Sequence, residues 1–178
     1  MGDGEPNIVL IGLRGSGKTT LGARLADELG RVFVDLDDES ARVLGCDGAG
    51  EAIVEHGMEA FGVAVCAAFG AVVEQWGGVV SLGGGTPMAD GCVGLLKGEG
   101  CRVFYLKALA GTMRERLSRA DNSDRPSLTG GDVLDEIEEV FGERDSLYMG
   151  IAESVVHTDG VSVDSVLVAL LALVKAGV

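Results

Sequence analysis

The stretch GLRGSGKTT, Gly12 to Thr20, leaves a chain of 178 residues few folds to choose from. Gly12, Gly17, Lys18 and Thr19 satisfy the spacing GxxxxGK[ST], which works only where a strand runs into the loop and a helix runs out of it. Both flanks are present. NIVLIG, just before, is a continuous apolar run, as expected of a parallel strand covered on both faces. Beyond the loop, Leu21, Leu25 and Leu29 recur at helical spacing from a start near Lys18 and stop at Gly30. Glycines let backbone N–H groups turn inward around phosphates, and the helix N-terminus adds positive potential. Lys18 can reach the β- and γ-phosphates and the Thr19 hydroxyl can ligate Mg2+, with Gly15, Ser16, Gly17 and Thr20 completing the cradle. A nucleoside triphosphate is the expected ligand.

RVFVDLD, VVSLGG, RVFYLK and ESVVHT read as four further strands with helical segments between them. That alternation implies a doubly covered α/β sandwich, a five-stranded parallel sheet built from right-handed crossovers. Ligands in such sheets lie beyond the carboxyl ends of the strands. There the phosphate loop, Asp35 and Asp37 at the end of the second strand, and Gly83 to Gly85 are expected to converge. Asp37 to Trp76 reads as consecutive helices without a strand, a cap (about 37–65) over an acceptor pocket. SRADNSDRPSLTGG, Ser118 to Gly131, is polar, contains Pro126 and ends in two glycines, as expected of a mobile lid (about 119–131).

Length allows one compact domain with a real core. The net charge of −14 opposes nucleic acid or an anionic membrane as partner, so an anionic ligand must be held by local donors. The apolar run from Met58 to Val73 contains Glu59 and falls short of the roughly 20 residues a bilayer needs, which predicts a buried helix. MGDGEPN lacks a basic segment followed by an apolar one, so a cytoplasmic location is expected. Cys46, Cys66, Cys92 and Cys101 form no CxxC pair and have no histidine at zinc-like spacing, so they read as small buried thiols. His56 and His157 are isolated and receive no function. The chain has little room for a GTPase switch apparatus and no NKxD signature, which favours a small-molecule kinase.

Two acids one residue apart beyond a strand beside a phosphate loop point to metal or acceptor binding rather than to solvated carboxylates. Spacing alone leaves Arg144, in GERDSLY, equally a surface ion pair on a helix, and Gly83 to Gly85 equally an ordinary tight turn.

Taken in order, GLRGSGKTTLG, VDLDDES, SLGGGTPM, DRPSL and RDSLYMGIA resemble the shikimate kinase family over about residues 7 to 176. The resemblance implies a monomeric phosphate-loop kinase with a helical substrate cap and a closing lid. It would transfer phosphate from ATP, with Mg2+, to the 3-hydroxyl of shikimate. It implies that Asp37 binds substrate hydroxyls and acts as general base, that Asp35 holds the water shell of Mg2+, and that Gly83, Gly84 and Gly85 line the pocket. It further implies that Arg125 on the lid swings onto the phosphates, that Arg144 grips the shikimate carboxylate, and that Arg119 or Arg116 packs on adenine.

In one place the chain departs from that pattern. The family carries FRxxE after the cap, its Arg a second carboxylate ligand; here Phe61 is followed by Gly62 in place of the Arg and Val65 in place of the Glu. Losing a charge-assisted partner costs about 1.5–3 kcal/mol, or roughly ten- to more than a hundredfold in affinity. Losing both together leaves no unpaired buried carboxylate. Three readings stand: a shikimate kinase with weakened acceptor binding, a kinase for another small hydroxylated substrate, or a non-catalytic ATP-binding relative. Arg42, early in the cap, and Arg14, in the phosphate loop, are candidate replacement cations.

Overall fold

The computed structural model describes residues 4–75, 77–89, 91–119 and 137–177. β1 (Asn7–Ile11) is buried at every position, as its unbroken apolar run requires, and occupies the middle of the sheet. With β2 (Phe33–Asp35), β3 (Val79–Ser81), β4 (Cys101–Lys107) and β5 (Ser154–His157) it forms a five-stranded sheet of order β2-β3-β1-β4-β5. Every pairing is parallel, with Leu10 opposite Ser81 on one side and Phe104 on the other. Parallel neighbours need crossovers, which are supplied by α1 (Lys18–Leu29), α2 (Leu36–Val43), α3 (Ala49–Gln75), α4 (Cys92–Leu96), α5 (Ala110–Ser118) and α6 (Ile137–Ile151), while α7 (Val163–Ala176) follows the last strand.

Side chains alternate across β1, and each set anchors one core. Ile8 and Leu10 join Leu21, Leu25 and Leu170, so α1 and α7 cover one face. Val9 and Ile11 join Phe69, Tyr105 and Tyr148, so α3 and α6 cover the other. α1 stops at Gly30, whose left-handed φ of 65° returns its N–H to the carbonyls of Ala26 and Asp27.

In two places the structure differs from the sequence reading. β2 ends at Asp35, and Asp37 sits in the first turn of α2 rather than on the strand. The Asp35 carboxylate accepts from the Asp37 N–H at 3.2 Å, so it caps the helix and stops the strand two residues early. α3 is longer than the Met58–Val73 run suggested: its 27 residues are long and apolar enough, by length and composition alone, to span a bilayer. A break at Gly57 (φ 85°, ψ 161°) divides it, and Phe61, Ala64, Val65, Ala68 and Phe69 pack into the soluble core. Of the expected lid only Arg119 is described; 120–131 lie outside the described residues.

Burial of the central strand yields a stability prediction. Leu10→Ala lowers the unfolding free energy by about 2–5 kcal/mol in urea titrations, whereas Val32→Ala, at a position 72% exposed, changes it by no more than about 0.5 kcal/mol.

Candidate active site

The phosphate loop closes the carboxyl end of β1 with backbone only glycine tolerates. Gly15 and Gly17 hold φ of 80° and 97°. A Cβ on Gly15 would press on Leu117 and the Met113 backbone, and one on Gly12 would strike the Leu106 carbonyl oxygen and the Ser16 hydroxyl. Gly17 caps α1 without a side-chain bond, leaving the helix N–H groups to face a ligand. Lys18 is buried and donates to the Leu13 carbonyl at 3.0 Å, within the same loop. The Ser16 hydroxyl is buried with no partner among the described residues. Thr19 Oγ1 donates to Asp35 Oδ2 at 2.9 Å, which sets two hard oxygen atoms side by side at the mouth of the loop. An orphaned donor, backbone that excludes side chains and a paired hydroxyl and carboxylate fit a Mg2+-nucleotide.

Of the two arginines that spacing offered, Arg116 is tied to the loop. Its guanidinium donates to the Gly15 carbonyl at 3.1 Å, to Thr158 Oγ1 at 3.0 Å and to the Thr158 carbonyl at 2.6 Å, lashing α5 and the segment after β5 to the loop. Arg119 stands on the exposed side and pairs with Glu115 at 2.7 Å, four residues away. Of these two, Arg116 lines the cavity.

The acceptor half is assembled around two neighbouring glycines. The Asp37 carboxylate packs against Gly83 so closely that a Cβ there would overlap it. At Gly84 the carbonyl accepts from Arg144 Nη1 at 3.0 Å and from the Tyr148 hydroxyl. A Cβ on Gly84 would make only ordinary contact, at 3.7 Å, with Arg144 and Tyr148, and one on Gly85 meets nothing within 4 Å, so close packing against the protein itself is confined to Gly83. Arg144 Nε is buried and has no partner among the described residues, which leaves a guanidinium donor for a ligand. Burial pushes the Tyr148 phenol up to about 12, so it donates at any physiological pH.

Sequence reasoning missed what holds Arg144. The adjacent Asp145 accepts from the Tyr105 hydroxyl at 2.9 Å and from Lys107 Nζ at 2.7 Å, both on β4. Burial opposes ionisation of Asp145, but bonds from Lys107 and Tyr105 outweigh it and hold the carboxyl below its ordinary range. Tyr105 and Tyr148 meet edge to face, centroids 5.1 Å apart. The helix that carries Arg144 is thus bolted to the sheet at the next residue, across 38 and 40 positions that no local pattern connects.

A cavity of about 760 Å3 joins both halves, lined by the loop, Asp35, Asp37, Gly83 to Gly85, Arg116 and Arg144. The cap contributes an apolar wall that includes Ile53, Met58, Phe61, Gly62 and Val65. At Gly62 a Cβ meets nothing within 4 Å. Arg14 lines the cavity, whereas Arg42 is exposed and paired with Glu39, so it replaces nothing there. Arg125 lies outside the described residues.

Comparison with known proteins follows the same lines. The family model described as shikimate kinase matches residues 14–175. A shikimate kinase of Oleidesulfovibrio alaskensis is 42% identical over 151 residues, 84% of this chain and 86% of that one. Shikimate kinase 2 of Yersinia pestis (strain Pestoides F) is 33% identical over 165 residues, 90% of each chain. A solved shikimate kinase from Acinetobacter baumannii, in complex with shikimate, superposes with a TM-score of 0.87 at 26% identity over 97% of this chain and 94% of that one.

Two outcomes follow from the glycine pair and its anchor. Gly83→Ala displaces Asp37 and lowers acceptor-dependent ADP formation by about a hundredfold, while Gly85→Ala stays close to the native rate. Asp145→Asn raises the KM for the acceptor about three- to tenfold and leaves that for ATP unchanged. Because burial is outweighed by the bonds from Lys107 and Tyr105, which depress the folded pKa of Asp145, the anchor is fully present above the ordinary carboxylate range and is lost only as pH falls below that range, so the native acceptor KM stays flat until then.

Proposed function

The chain belongs to the shikimate kinase family, and from that membership we propose how its residues share the transfer of the terminal phosphate of ATP to the 3-hydroxyl of shikimate. Loop N–H groups and Lys18 hold the phosphates, Lys18 exchanging the Leu13 carbonyl for the β- and γ-oxygens. Thr19 Oγ1 and Asp35 Oδ2 are the groups that would hold Mg2+, which when bound offsets charge on the transferring phosphate. Asp37 accepts the proton of the attacking hydroxyl as the new O–P bond forms. Arg144 binds the shikimate carboxylate through its free Nε–H. Arg116 braces the loop where the nucleoside enters, and Arg125 closes onto the phosphates from the lid. Under this reading the protein is a cytosolic monomer, a setting consistent with four cysteines that form no disulfide.

One observation carries this reading: Asp37 and Arg144 are seated on successive glycines of a single loop, Gly83 and Gly84. A proton acceptor and a carboxylate receptor held on neighbouring residues set a fixed span, which suits a small rigid ring bearing both a hydroxyl and a carboxylate. The grip on that carboxylate rests on one arginine, since the cap wall of the cavity offers only Gly62 and Val65 where the family carries Arg and Glu. Acceptor affinity is therefore reduced by roughly ten- to a hundredfold relative to a two-arginine pocket. The same apolar wall favours, as a second reading, a less anionic hydroxylated acceptor.

The test is ADP formation from Mg·ATP, with and without shikimate, by the native chain and by Gly62→Arg/Val65→Glu. Open space at Gly62 admits the longer side chain. Shikimate accelerates the native chain, and the double variant lowers the KM for shikimate about tenfold or more with little change in kcat. Turnover indifferent to shikimate in both proteins rules the assignment out, and acceleration by a neutral polyol instead selects the second reading.

A further inference from the structure

Away from the cavity, a second set of donor side chains meets where α2 turns back into α3. Cys46 lies in the connecting turn and is buried, while Glu55 and His56 stand on α3 just before the break at Gly57. Glu55 Oε2 is 3.7 Å from Cys46 Sγ and 4.0 Å from His56 Nε2, and the three donor atoms lie within 4.8 Å of one another. The phosphate-transfer machinery uses none of them.

A tetrahedral zinc ion bound at about 2.3 Å to sulfur and about 2.0–2.2 Å to nitrogen or oxygen separates its ligand atoms by about 3.4–3.6 Å. The observed spacings exceed that by tenths of an ångström at the sulfur–carboxylate pair and by rotamer-scale amounts elsewhere. The carboxylates of Glu55, Glu51 and Asp47 all bear on the thiol, a negative surrounding that favours a cation at the sulfur. Glu51 already accepts from the Asp47 N–H at 2.7 Å, close enough in sequence to offer the fourth position, which water fills otherwise. Thiolate, imidazole and carboxylate together select a borderline-soft ion, whereas Thr19 and Asp35 offer only hard oxygen.

We propose that Cys46, Glu55 and His56 form a binding site for a thiophilic divalent cation of the zinc type, separate from the nucleotide site. On binding, the sulfur–metal bond forms as the thiol proton leaves to solvent. The ion ties the turn after α2 to the end of the first half of α3. α2 begins with the turn that bears Asp37, and α3 resumes after Gly57 with Phe61 and Gly62, so occupancy holds the hinge of the cap. The sequence reading took Cys46 as an inert thiol and His56 as isolated. Their convergence comes from the reversal between two helices and has no zinc-like spacing.

The experiment uses the reduced, nucleotide-free full chain titrated with Co(II), then with Zn(II). The native protein develops a near-ultraviolet sulfur-to-cobalt charge-transfer band with tetrahedral d–d bands at one ion per chain. Zn(II) bleaches these bands and raises the melting temperature. Cys46→Ser abolishes the charge-transfer band. His56→Ala, at an exposed position that threatens folding little, weakens Co(II) and Zn(II) at least about tenfold. Cobalt bound without a thiolate band, or a band undiminished in either variant, overturns the assignment.

Discussion

A chain with a net charge of −14 can hold a polyphosphate only where backbone N–H groups and a few fixed cations overcome the general repulsion. That requirement falls on the loop from Gly12 to Gly17, and the rest of the fold positions it. β1 is buried on both faces between two cores, so the end of the strand is immobile. α1 begins at Lys18, directing its unpaired N–H groups back toward the same point. Arg116 then binds the loop to Thr158 beyond the edge strand β5, so three separate segments of the chain meet at one anion site. A positive group spent on bracing is also a positive group kept near the phosphates.

The acceptor half depends on the nucleotide half through Asp35. Its carboxylate receives the Thr19 hydroxyl with one oxygen and caps α2 with the other. That cap sets Asp37 against Gly83, and the neighbouring Gly84 carbonyl receives Arg144 and Tyr148. Position is thus handed from the phosphate loop to Arg144 through short, directional contacts. Lys107 and Tyr105 secure the far end through Asp145. Gly62 and Val65 line the same cavity from the cap and take part in none of these contacts.

Much of this was legible in one dimension because the signals were local. Continuous apolar runs marked all five strands, and the glycine-lysine-threonine spacing placed the loop between β1 and α1. The same runs misjudged two boundaries. A side-chain cap ended β2 before Asp37, and helix continued through Gly57 with a break that composition does not announce. Contacts that join distant segments were invisible: Asp145 with Tyr105 and Lys107, Arg116 rather than Arg119 at the loop, and Cys46 with His56. Each depends on packing between elements, where sequence separation carries no information about distance.

The central claim is that a single guanidinium, fixed by its neighbour and by a glycine carbonyl, holds the acceptor. Calorimetric titration of shikimate into the ADP-loaded native chain and its Arg144→Ala variant tests it most directly. The account predicts measurable native binding and a loss of at least about tenfold in the variant, with ADP affinity unchanged. Equal shikimate affinity in the two proteins would contradict it and place the carboxylate on another cation.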